Sequence, residues 1–466
     1  MGWNIFNQVA NFCRKLLNNS SDTCSTEDIK LKVITRAEHS VSRAQISDNA
    51  LKVLYRLHNS GYDAFLVGGG VRDILLGKEP KDFDVATNAT PEQIRKLFRN
   101  CRLIGRRFRL AHILFGRDVI EVATFRGHHA DEEPSKKNVS AQSKEGMLLR
   151  DNVYGNVDED AQRRDFTINA MYYNIADYSI HDYANGIQDL KNGVIRMIGD
   201  PETRYREDPV RMLRAARFAA KLDMTISNST ASPMLELSTL LQDIPAARLF
   251  EESLKLLQAG DGIATYQLLR KHNLFQQLFP QVSDQFTEDN SSNTEKMLDL
   301  VLNSTDRRIN SGKRVNPAFM FAAILWYPLT IKAEELMKEL NLNYYDAMME
   351  AGNRILDSQV KHLAIPRRFT ATIRDIWQLQ LRLPRRNGKR AFALFEQQKF
   401  RAGFDFLEMR GKLELGQTKE LALWWNEFQK VETPEKQKMV SALGGGRSNY
   451  KRRKPNFRNK KPDNRT

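Results

Sequence analysis

The chain has 466 residues, 41% of them hydrophobic, and a formal net charge of +15. This length suggests two or three domains, and the hydrophobic content is enough for each to have a hydrophobic core. The charge favours a polyanionic partner, with nucleic acid first and an anionic membrane surface second. Three scattered cysteines without a C-x-x-C pair argue against a disulfide framework or a zinc site, and they indicate a reducing compartment, for which we expect the cytoplasm.

The first 46 residues are predicted to be an extension of the folded chain. Apolar residues recur at helical spacing between Trp3 and Leu17, but polar residues interrupt the run. No small-residue cleavage site follows, so a secretory signal is not expected. A helix lying in a membrane interface, and with it membrane association, is the alternative.

Residues 47–200 are predicted to form a mixed α and β domain. Strands are predicted at residues 65–67, from 82, and at 103–105, 112–115, 119–125, 179–183 and 194–198. Helical patterns precede and separate these strands, and one of them begins at Pro91. The polar stretch 127–146 predicts a mobile loop.

The stretch from Leu66 to Val85 reads LVGGGVRDILLGKEPKDFDV. Glycines after a strand let backbone N–H groups approach a phosphate, and a helix that begins just beyond favours an anion. Alternate side chains of a strand share a face, so Asp82 and Asp84 point the same way, with Cα atoms roughly 6 to 7 Å apart. Paired carboxylates beside a phosphate cradle predict a bound divalent metal such as Mg²⁺. A strand-edge turn with solvated acids is the alternative.

Two later stretches bear on the same site. In VIEVATFR, residues 119–126, Glu121 faces away from its apolar neighbours and can join the aspartates as a third carboxylate, or simply face solvent. In RRDFTINAM, Asp165 follows Arg163 and Arg164, which suit bidentate contacts to phosphate. Asp165 is also a candidate N-cap of a helix, so its role stays open.

The segment EDPVRMLR, residues 207–214, begins the first helix of the second half. Asp208 before Pro209 fits an N-cap followed by proline at the first helical position. Glu207 and Asp208 precede Arg211 by four and three residues, so they can orient its guanidinium. An arginine held in this way is suited to reading the edge of a base.

After Asp200 the strand signals stop, and a helical neck (201–260) and a helical body (261–432) are predicted, the body being expected to bind RNA. The predicted helices cover residues 209–222, 247–259, 263–272, 317–326, 345–363, 368–383, 389–396, 404–415 and 420–430.

Residues 433–466 are predicted to be a disordered basic tail. From residue 441 onward, nine Lys or Arg stand against one Asp, and such a segment cannot bury a core. Tyr450 and Phe457 lie among the charges, and aromatic rings can stack on unpaired bases. The residues predicted to bind RNA are Arg447, Lys451, Arg452, Arg453 and Lys454. A tail that only aids solubility is the alternative, which the salt dependence of RNA binding would test.

Taken in order, LVGGGVRD, DFD, IEVATFR, RRDFTINAM and EDPVRMLRAARF resemble the class II nucleotidyltransferase superfamily. That superfamily comprises bacterial poly(A) polymerases and CCA-adding tRNA nucleotidyltransferases, and the resemblance covers about residues 62–222. LIGRRFRLAH, residues 103–112, is similar to the stretch characteristic of the poly(A) polymerase branch. The implied fold is α+β: an N-terminal mixed-sheet, polymerase-beta-like nucleotidyltransferase head, an all-α neck and body, and the disordered basic tail.

The resemblance also implies roles for individual residues. Asp82 and Asp84 are the implied metal-binding catalytic carboxylates, while Asp165 and Glu121 both sit at positions with supporting acidic roles. Gly70 stands where relatives often have alanine, which puts nothing in doubt. The implied nucleotide-binding residues, on the triphosphate side or at the base, are Gly68, Gly69, Arg72, Asp73, Arg164, Asp208 and Arg211.

The function implied is template-independent addition of AMP from ATP to RNA 3′ ends, which promotes RNA decay. The RNA 3′-hydroxyl would attack the α-phosphorus and pyrophosphate would leave, with two Mg²⁺ ions about 3.5 to 4 Å apart. RNA 3′ ends and ATP are the implied partners, and RNA-decay proteins are further candidates. A CCA-adding tRNA nucleotidyltransferase is the nearest alternative. A catalytically silent RNA-binding protein on the same scaffold is the alternative from another class.

Overall fold

The computed structural model describes residues 31–105, 109–127, 140–142, 148–151 and 153–443. The predicted N-terminal amphipathic helix and the five tail residues predicted to bind RNA lie outside the described residues. The chain divides into two compact units. The first consists of Met1–Asp284, Leu302–Val315 and Ser358–Ile365, and the second of Gln285–Val301, Asn316–Asp357 and Pro366–Thr466.

A mixed sheet is the frame of the first unit. The described strands are β1 (Lys32–Ile34), β2 (Ala64–Val67), β3 (Asp84–Thr87), β4 (Cys101–Ile104), β5 (Leu110–Phe115), β6 (Asp118–Thr124), β7 (Ser140–Gln142), β8 (Leu148–Asp151), β9 (Met171–Asn174), β10 (Ile180–Asp182), β11 (Val194–Ile195) and β12 (Thr225–Ile226). Eight of them form one sheet in the order β1-β10-β9-β2-β3-β6-β5-β4. Within it β3 and β6 run parallel, and the other described neighbours are antiparallel. β7 pairs with β8, and β11 with β12.

Helices follow the strands and make up most of the second half. Up to residue 283 they are α1 (Asp48–Asn59), α2 (Gly69–Leu75), α3 (Pro91–Leu97), α4 (Val157–Gln162), α5 (Gly186–Asn192), α6 (Pro201–Glu207), α7 (Val210–Leu222), α8 (Asn228–Ala231), α9 (Met234–Leu237), α10 (Ala246–Leu257), α11 (Gly262–Lys271), α12 (Leu274–Leu278) and α13 (Pro280–Ser283). Beyond it they are α14 (Asn293–Asn310), α15 (Pro317–Ile324), α16 (Trp326–Leu340), α17 (Tyr344–His362), α18 (Arg367–Arg382), α19 (Lys389–Phe395), α20 (Phe400–Glu414), α21 (Gly416–Lys430) and α22 (Thr433–Ala442).

β2 lies at the centre of the packing around the sheet. β2 is buried along its whole length, which fits its run of four apolar residues. Phe65 and Val67 face an apolar cluster that includes Ala86, Phe125 and Tyr172. α1 packs against β2, β3 and β6. The apolar cluster therefore covers one face of the sheet up to the first residue of β3.

Local capping explains where several helices begin. The Thr90 side chain accepts a hydrogen bond from the backbone N–H of Gln93, whose own side chain bonds back to Thr90, and Pro91 occupies the first turn as predicted. Asp200 caps α6 through the backbone N–H of Thr203, again before a proline. These caps fix where α3 and α6 begin.

The predicted mixed α and β head followed by helices is confirmed, although some elements differ from the prediction. β12 lies beyond Asp200, where no strand was predicted. α14 and α16 were not predicted either: polar residues dominate α14, and α16 contains Pro328 in its first turn. That proline is third in the helix, where a missing N–H costs nothing.

A further correction concerns the tail, which was predicted to be disordered from residue 433. Residues Thr433–Ala442 form α22 instead, with a proline in the first turn and Val440 buried. The other predicted domain boundaries stay predictions.

The core of the second unit is aromatic. Trp425 and Phe428 of α21 are fully buried and pack with Phe400 and Phe404 of α20. The Trp425 indole N–H donates to the backbone oxygen of Leu383, 3.1 Å away, just past α18. Three helices are thus held around one cluster. None of the helices in the described part of the chain is both long and apolar enough to cross a membrane.

Candidate active site

Asp84 and Glu121 stand side by side in the sheet. Asp84 is the first residue of β3, in register with Val67 of β2 on one side and Glu121 of β6 on the other. In-register residues of neighbouring strands point to the same face, so the two carboxylates share a face. On β5, His112 lies next to Glu121, with 3.3 Å between Nε2 and Oε2. The pairing of β3 with β6 therefore brings the predicted acids of two distant motifs together.

The electrostatics of Asp84 indicate crowded negative charge. Solvent reaches one side of this residue, but the protein around its carboxylate raises its pKa to about 6. Burial is the main cause, the charge of Glu121 comes next, and Asp82 adds a smaller effect, while Arg164 opposes them. The surroundings of Asp84 disfavour its ionised form, so a bound cation would stabilise the carboxylate charge at this site.

At Gly68, the backbone of the glycine turn lies close to Asp84. The Gly68 φ of 68° and ψ of −132° lie in a region that residues with a side chain rarely adopt. A Cβ placed on Gly68 would lie 3.4 Å from Nη1 of Arg164 and 3.9 Å from Oδ2 of Asp84. A Cβ on Gly70 would meet only ordinary contacts, 3.6 Å or more away. The close approach of backbone to the charged groups is therefore a property of Gly68.

Arg72 and Asp73 are held inside the protein. Arg72 is 3% exposed and donates to Oδ1 of Asp73 through Nε and Nη2, at 2.8 and 2.6 Å. Its Nη1 donates to Oδ1 of Asn169, 2.8 Å away. A Cβ on Gly69 would lie 3.5 Å from Nη2 of Arg72. Arg72 thus fixes Asp73 and ties the glycine motif to the RRDFTINAM segment.

Arg164 has its guanidinium fixed beside Gly68. Its Nε donates to the Tyr172 hydroxyl at 2.6 Å and its Nη2 to Oδ2 of Asp160 at 3.2 Å. The Tyr172 hydroxyl in turn donates to the same Asp160 oxygen at 2.5 Å. Burial acts to lower the pKa of Arg164, but Tyr172 and Asp160 outweigh it and raise that pKa. Arg164 therefore carries a permanent positive charge at the glycine turn.

Asp165 is engaged away from the other acids. Its Oδ1 accepts from the backbone N–H of Phe166 at 2.8 Å and from the Asn169 amide at 3.1 Å. Its Oδ2 accepts from Arg214 of α7, with 2.5 Å to Nη2 and 2.7 Å to Nε. Burial acts to raise the pKa of Asp165, but the Arg214 charge and these hydrogen bonds hold it near 2. Of the two acids that the sequence left open, Glu121 is the one beside Asp84.

Arg211 and Asp208 belong to a chain of ion pairs at the start of α7. As predicted, Glu207 orients Arg211, with 2.8 Å between Oε2 and Nη1. Asp208 instead pairs with Arg248 of α10 at 2.8 Å. The same oxygen of Glu207 also accepts from Arg204, at 2.6 Å. Both predicted base-contacting residues are therefore held in position by partners.

Arg204 links these ion pairs to the RRD segment. It is 9% exposed, and its Nη2 donates to the backbone oxygens of Arg163 and Arg164 at 2.6 and 2.9 Å. Burial, with the nearby Arg211 charge, lowers the pKa of Arg204 to about 10. This buried arginine thus couples the start of α7 to the backbone of the RRD segment.

The sequence reasoning missed six residues of this network: Asp160, Asn169, Tyr172, Arg204, Arg214 and Arg248. A local signal existed for Arg214, which follows Arg211 by three residues and shares its helix face. No local pattern points to Arg248, since it meets Asp208 across 40 residues.

The residues present fit a divalent cation that is held in part by substrate. Among the described residues, no group of three or more His, Cys, Asp or Glu side chains is arranged to hold a metal ion. Asp82 and Asp84 offer hard oxygen donors, and Mg²⁺ is commonly held by one or two carboxylates together with water and substrate phosphates. The predicted third carboxylate, Glu121, thus lies beside Asp84 without completing a three-ligand cluster.

Three family models match successive parts of the chain. They are described as Poly A polymerase head domain (residues 64–196), Probable RNA and SrmB-binding site of polymerase A (223–286) and Polymerase A arginine-rich C-terminus (340–460). Their order agrees with the predicted order of head, neck, body and basic tail.

Curated relatives and solved structures agree with this match. The chain is 58% identical to Poly(A) polymerase I of Salmonella typhimurium over 442 residues, 94% of this chain and 95% of that one. It is 36% identical to the CCA-adding enzyme of Lactobacillus helveticus over 207 residues, 44% of this chain and 49% of that one. A solved tRNA-processing enzyme in an apo form has a TM-score of 0.57 at 24% identity, covering 87% of this chain and 97% of its own, which shows a shared fold.

Proposed function

The chain belongs to the poly(A) polymerase I family, and we propose that the cleft around Asp84 carries out the reaction of that family. The protein is a polynucleotide adenylyltransferase, which adds AMP from ATP to RNA 3′ ends without a template. The CCA-adding enzymes are distant relatives, with 36% identity over less than half of the chain. The observation that carries the site assignment is the pair Asp84 and Glu121 with Gly68 next to Asp84, since it joins crowded carboxylates to a glycine turn that begins a helix.

Members of this superfamily generally use divalent metal ions, and we assign Mg²⁺ to Asp82 and Asp84 as its protein ligands. When bound, the ion would neutralise phosphate charge and lower the pKa of the RNA 3′-hydroxyl. Glu121 is a positioning residue in this proposal, because it lies beside Asp84 and its carboxylate contacts His112.

The triphosphate is proposed to lie along the glycine turn. Gly68 has no Cβ, so its backbone can lie close to Asp84, and Arg164 supplies a fixed positive charge next to it. Arg72 and Asp73 support this turn from inside through Asn169. Phosphoryl transfer depends mainly on positioning and charge neutralisation, and these groups would supply both before the substrate arrives.

Base recognition is proposed for Asp208 and Arg211. Adenine offers an amino donor beside a ring acceptor, which a carboxylate and a guanidinium can match. Glu207 holds Arg211, and Arg248 holds Asp208, so neither side chain would have to be ordered when ATP binds. Action in the cytoplasm and contact with RNA-decay proteins are further proposals, the first resting on the scattered cysteines and the second on the polyadenylation activity.

The product pattern with single nucleotides tests the activity directly. A generic single-stranded RNA is offered ATP, CTP, GTP or UTP separately, and we expect a long ladder with ATP alone. Use of CTP that stops after two additions, without a ladder from ATP, would instead assign tRNA end repair. RNA binding without extension by any nucleotide would assign a silent RNA-binding protein.

A substitution at the glycine turn tests the triphosphate assignment. Gly68→Ala is expected to slow extension about tenfold and to cost about 1 to 3 kcal/mol of stability, because its backbone conformation is unfavourable for alanine. Gly70→Ala is the matched control and is expected to behave like the unchanged chain, since its Cβ meets only ordinary contacts. Extension rates and thermal unfolding measure both. Equal behaviour of the two variants would remove Gly68 from the cradle.

A further inference from the structure

A second site lies in the second compact unit, in a groove that the proposed chemistry does not use. Its volume is about 740 Å³, within the range of cavities that bury small ligands. The wall is formed by the turn before α17, the end of α18 and the start of α21, and α20 contributes Leu407 and Arg410. Every lining residue belongs to this unit.

The floor of the groove is polar and already satisfied. Arg410 donates to both carboxylate oxygens of Glu414, at 2.8 and 2.7 Å, and to Oε1 of Gln380 at 3.1 Å. Its guanidinium also lies 4.3 Å from the ring centre of Trp326. The Thr418 hydroxyl donates to Glu414 at 3.0 Å. The floor therefore has a fixed shape and little charge left to offer.

The rim differs because it carries two arginines, of which Arg386 has the Glu420 carboxylate nearby. Within the part of the chain that the structure describes, the exposed Arg385 side chain makes no hydrogen bond or ion pair. Arg386 lies 5.0 Å from the ring centre of Trp424, and its Nε is buried without a hydrogen-bond partner. Arg385 is therefore the exposed cation of the rim, and Arg386 lies next to it in the chain with its guanidinium held against an aromatic ring.

Two aromatic side chains complete the rim. Tyr344 is 50% exposed and Tyr345 is 41% exposed, although large aromatic residues are usually well covered. Exposed rings beside arginines form the arrangement that binds unpaired nucleotides, because bases stack on the rings and phosphates meet the cations.

We propose that this groove binds unpaired nucleotides of the RNA substrate, with bases on Tyr344 and Tyr345 and a phosphate on Arg385 and Arg386. The inference rests on the proposed function, since it adds a second binding site for the RNA that is extended at the site around Asp84. It is independent of the predicted basic tail. An acidic peptide would match the arginines but would leave the two exposed rings without a role.

Affinity for single-stranded RNA tests the groove. The full chain is titrated into a labelled 15-nucleotide oligoadenylate, with a chelator present to prevent extension, over a series of salt concentrations. Arg385→Gln with Arg386→Gln is expected to weaken binding and to reduce the salt slope by about 0.7 for each phosphate that the variant no longer neutralises. Tyr344→Leu with Tyr345→Leu is expected to weaken binding about fivefold or more without changing the slope, because no charge is removed.

A matched control lies at the start of α18, the helix whose other end lines the groove. Arg367 and Arg368 are exposed at the start of α18, and Gln380, where this helix first lines the groove, lies roughly 18 to 20 Å further along it. Arg367→Gln with Arg368→Gln removes the same charge and is expected to leave the affinity near that of the unchanged chain. An equal loss in this control would show a diffuse charge effect and overturn the site.

Extension assays separate a failed groove from a failed function. The groove variants are expected to raise the KM for RNA and to keep kcat, since the cleft around Asp84 is untouched. Unchanged RNA affinity and salt slope in both groove variants, with normal extension, would overturn the groove alone and point to another ligand such as an acidic peptide. If the unchanged chain binds RNA and never extends it, the proposed function is refuted. The RNA affinities of the groove variants can still be measured in that case.

Discussion

Asp84→Asn is expected to abolish extension of RNA by ATP, with kcat falling by roughly 10³-fold or more, as for other groups that stabilise the transition state. The amide keeps the shape of the side chain but removes the charge that would hold the cation between enzyme and triphosphate. Asp82→Asn is expected to act in the same direction. RNA affinity should stay within about twofold, because neither residue belongs to the proposed RNA-binding groove.

The control for Asp84 is another exposed acid of the same sheet. Asp118 begins β6 and accepts a hydrogen bond from the Asn49 amide at 2.7 Å. Asp118→Asn removes the same charge outside the site and is expected to leave extension intact, as surface changes commonly do. Single-turnover extension with saturating RNA and ATP separates the chemical step from binding. Normal turnover by Asp84→Asn would remove this carboxylate from the reaction.

Asp165→Ala is expected to destabilise the first unit by about 2 kcal/mol and to reduce activity as a consequence. The change leaves Arg214 without its partner, and removing one member of a buried pair costs more than the pair contributes. Solvent reduces this cost, because 33% of the Arg214 side chain is exposed. The Asn169 amide also loses an acceptor, and Asn169 holds Arg72 beneath the glycine turn.

Removing both partners distinguishes this explanation from a general loss of packing. Asp165→Ala combined with Arg214→Ala is expected to recover part of the lost free energy of unfolding, because no unpaired charge remains. Thermal or denaturant unfolding measures the single and double variants. Strictly additive losses would show that the two residues do not interact.

The same pair predicts a dependence on pH. The pKa of Asp165 is lowered from 3.8 to about 2 in the folded chain, so its contribution to stability is present above about pH 4 and is lost as the pH falls towards 2. The difference in unfolding free energy between the unchanged chain and Asp165→Ala should therefore stay constant from pH 7 to about 5 and shrink below 4. A difference that grows on acidification would contradict the pairing.

The sequence predicted the change from a mixed α and β head to helices, which is confirmed, and it proposed several residues of the candidate site. Glycines after an apolar run and acids at alternate positions are local signals, so Gly68, Asp82 and Asp84 could be read without a fold. The period of apolar residues likewise predicted most of the helices after Asp200. Local composition misled at polar α14 and at Pro328 in the first turn of α16.

Only the tertiary structure decided which distant residues meet. Glu121 and Asp165 were equal candidates in sequence, and the parallel pairing of β3 with β6 placed Glu121 beside Asp84. The Arg214 side chain pairs with Asp165 across 49 residues of sequence, and Arg248 pairs with Asp208 across 40. The rim of the groove joins Tyr344 to Arg386 through the packing of helices. Such contacts depend on strand register and helix packing, which the local spacing of residue types does not specify.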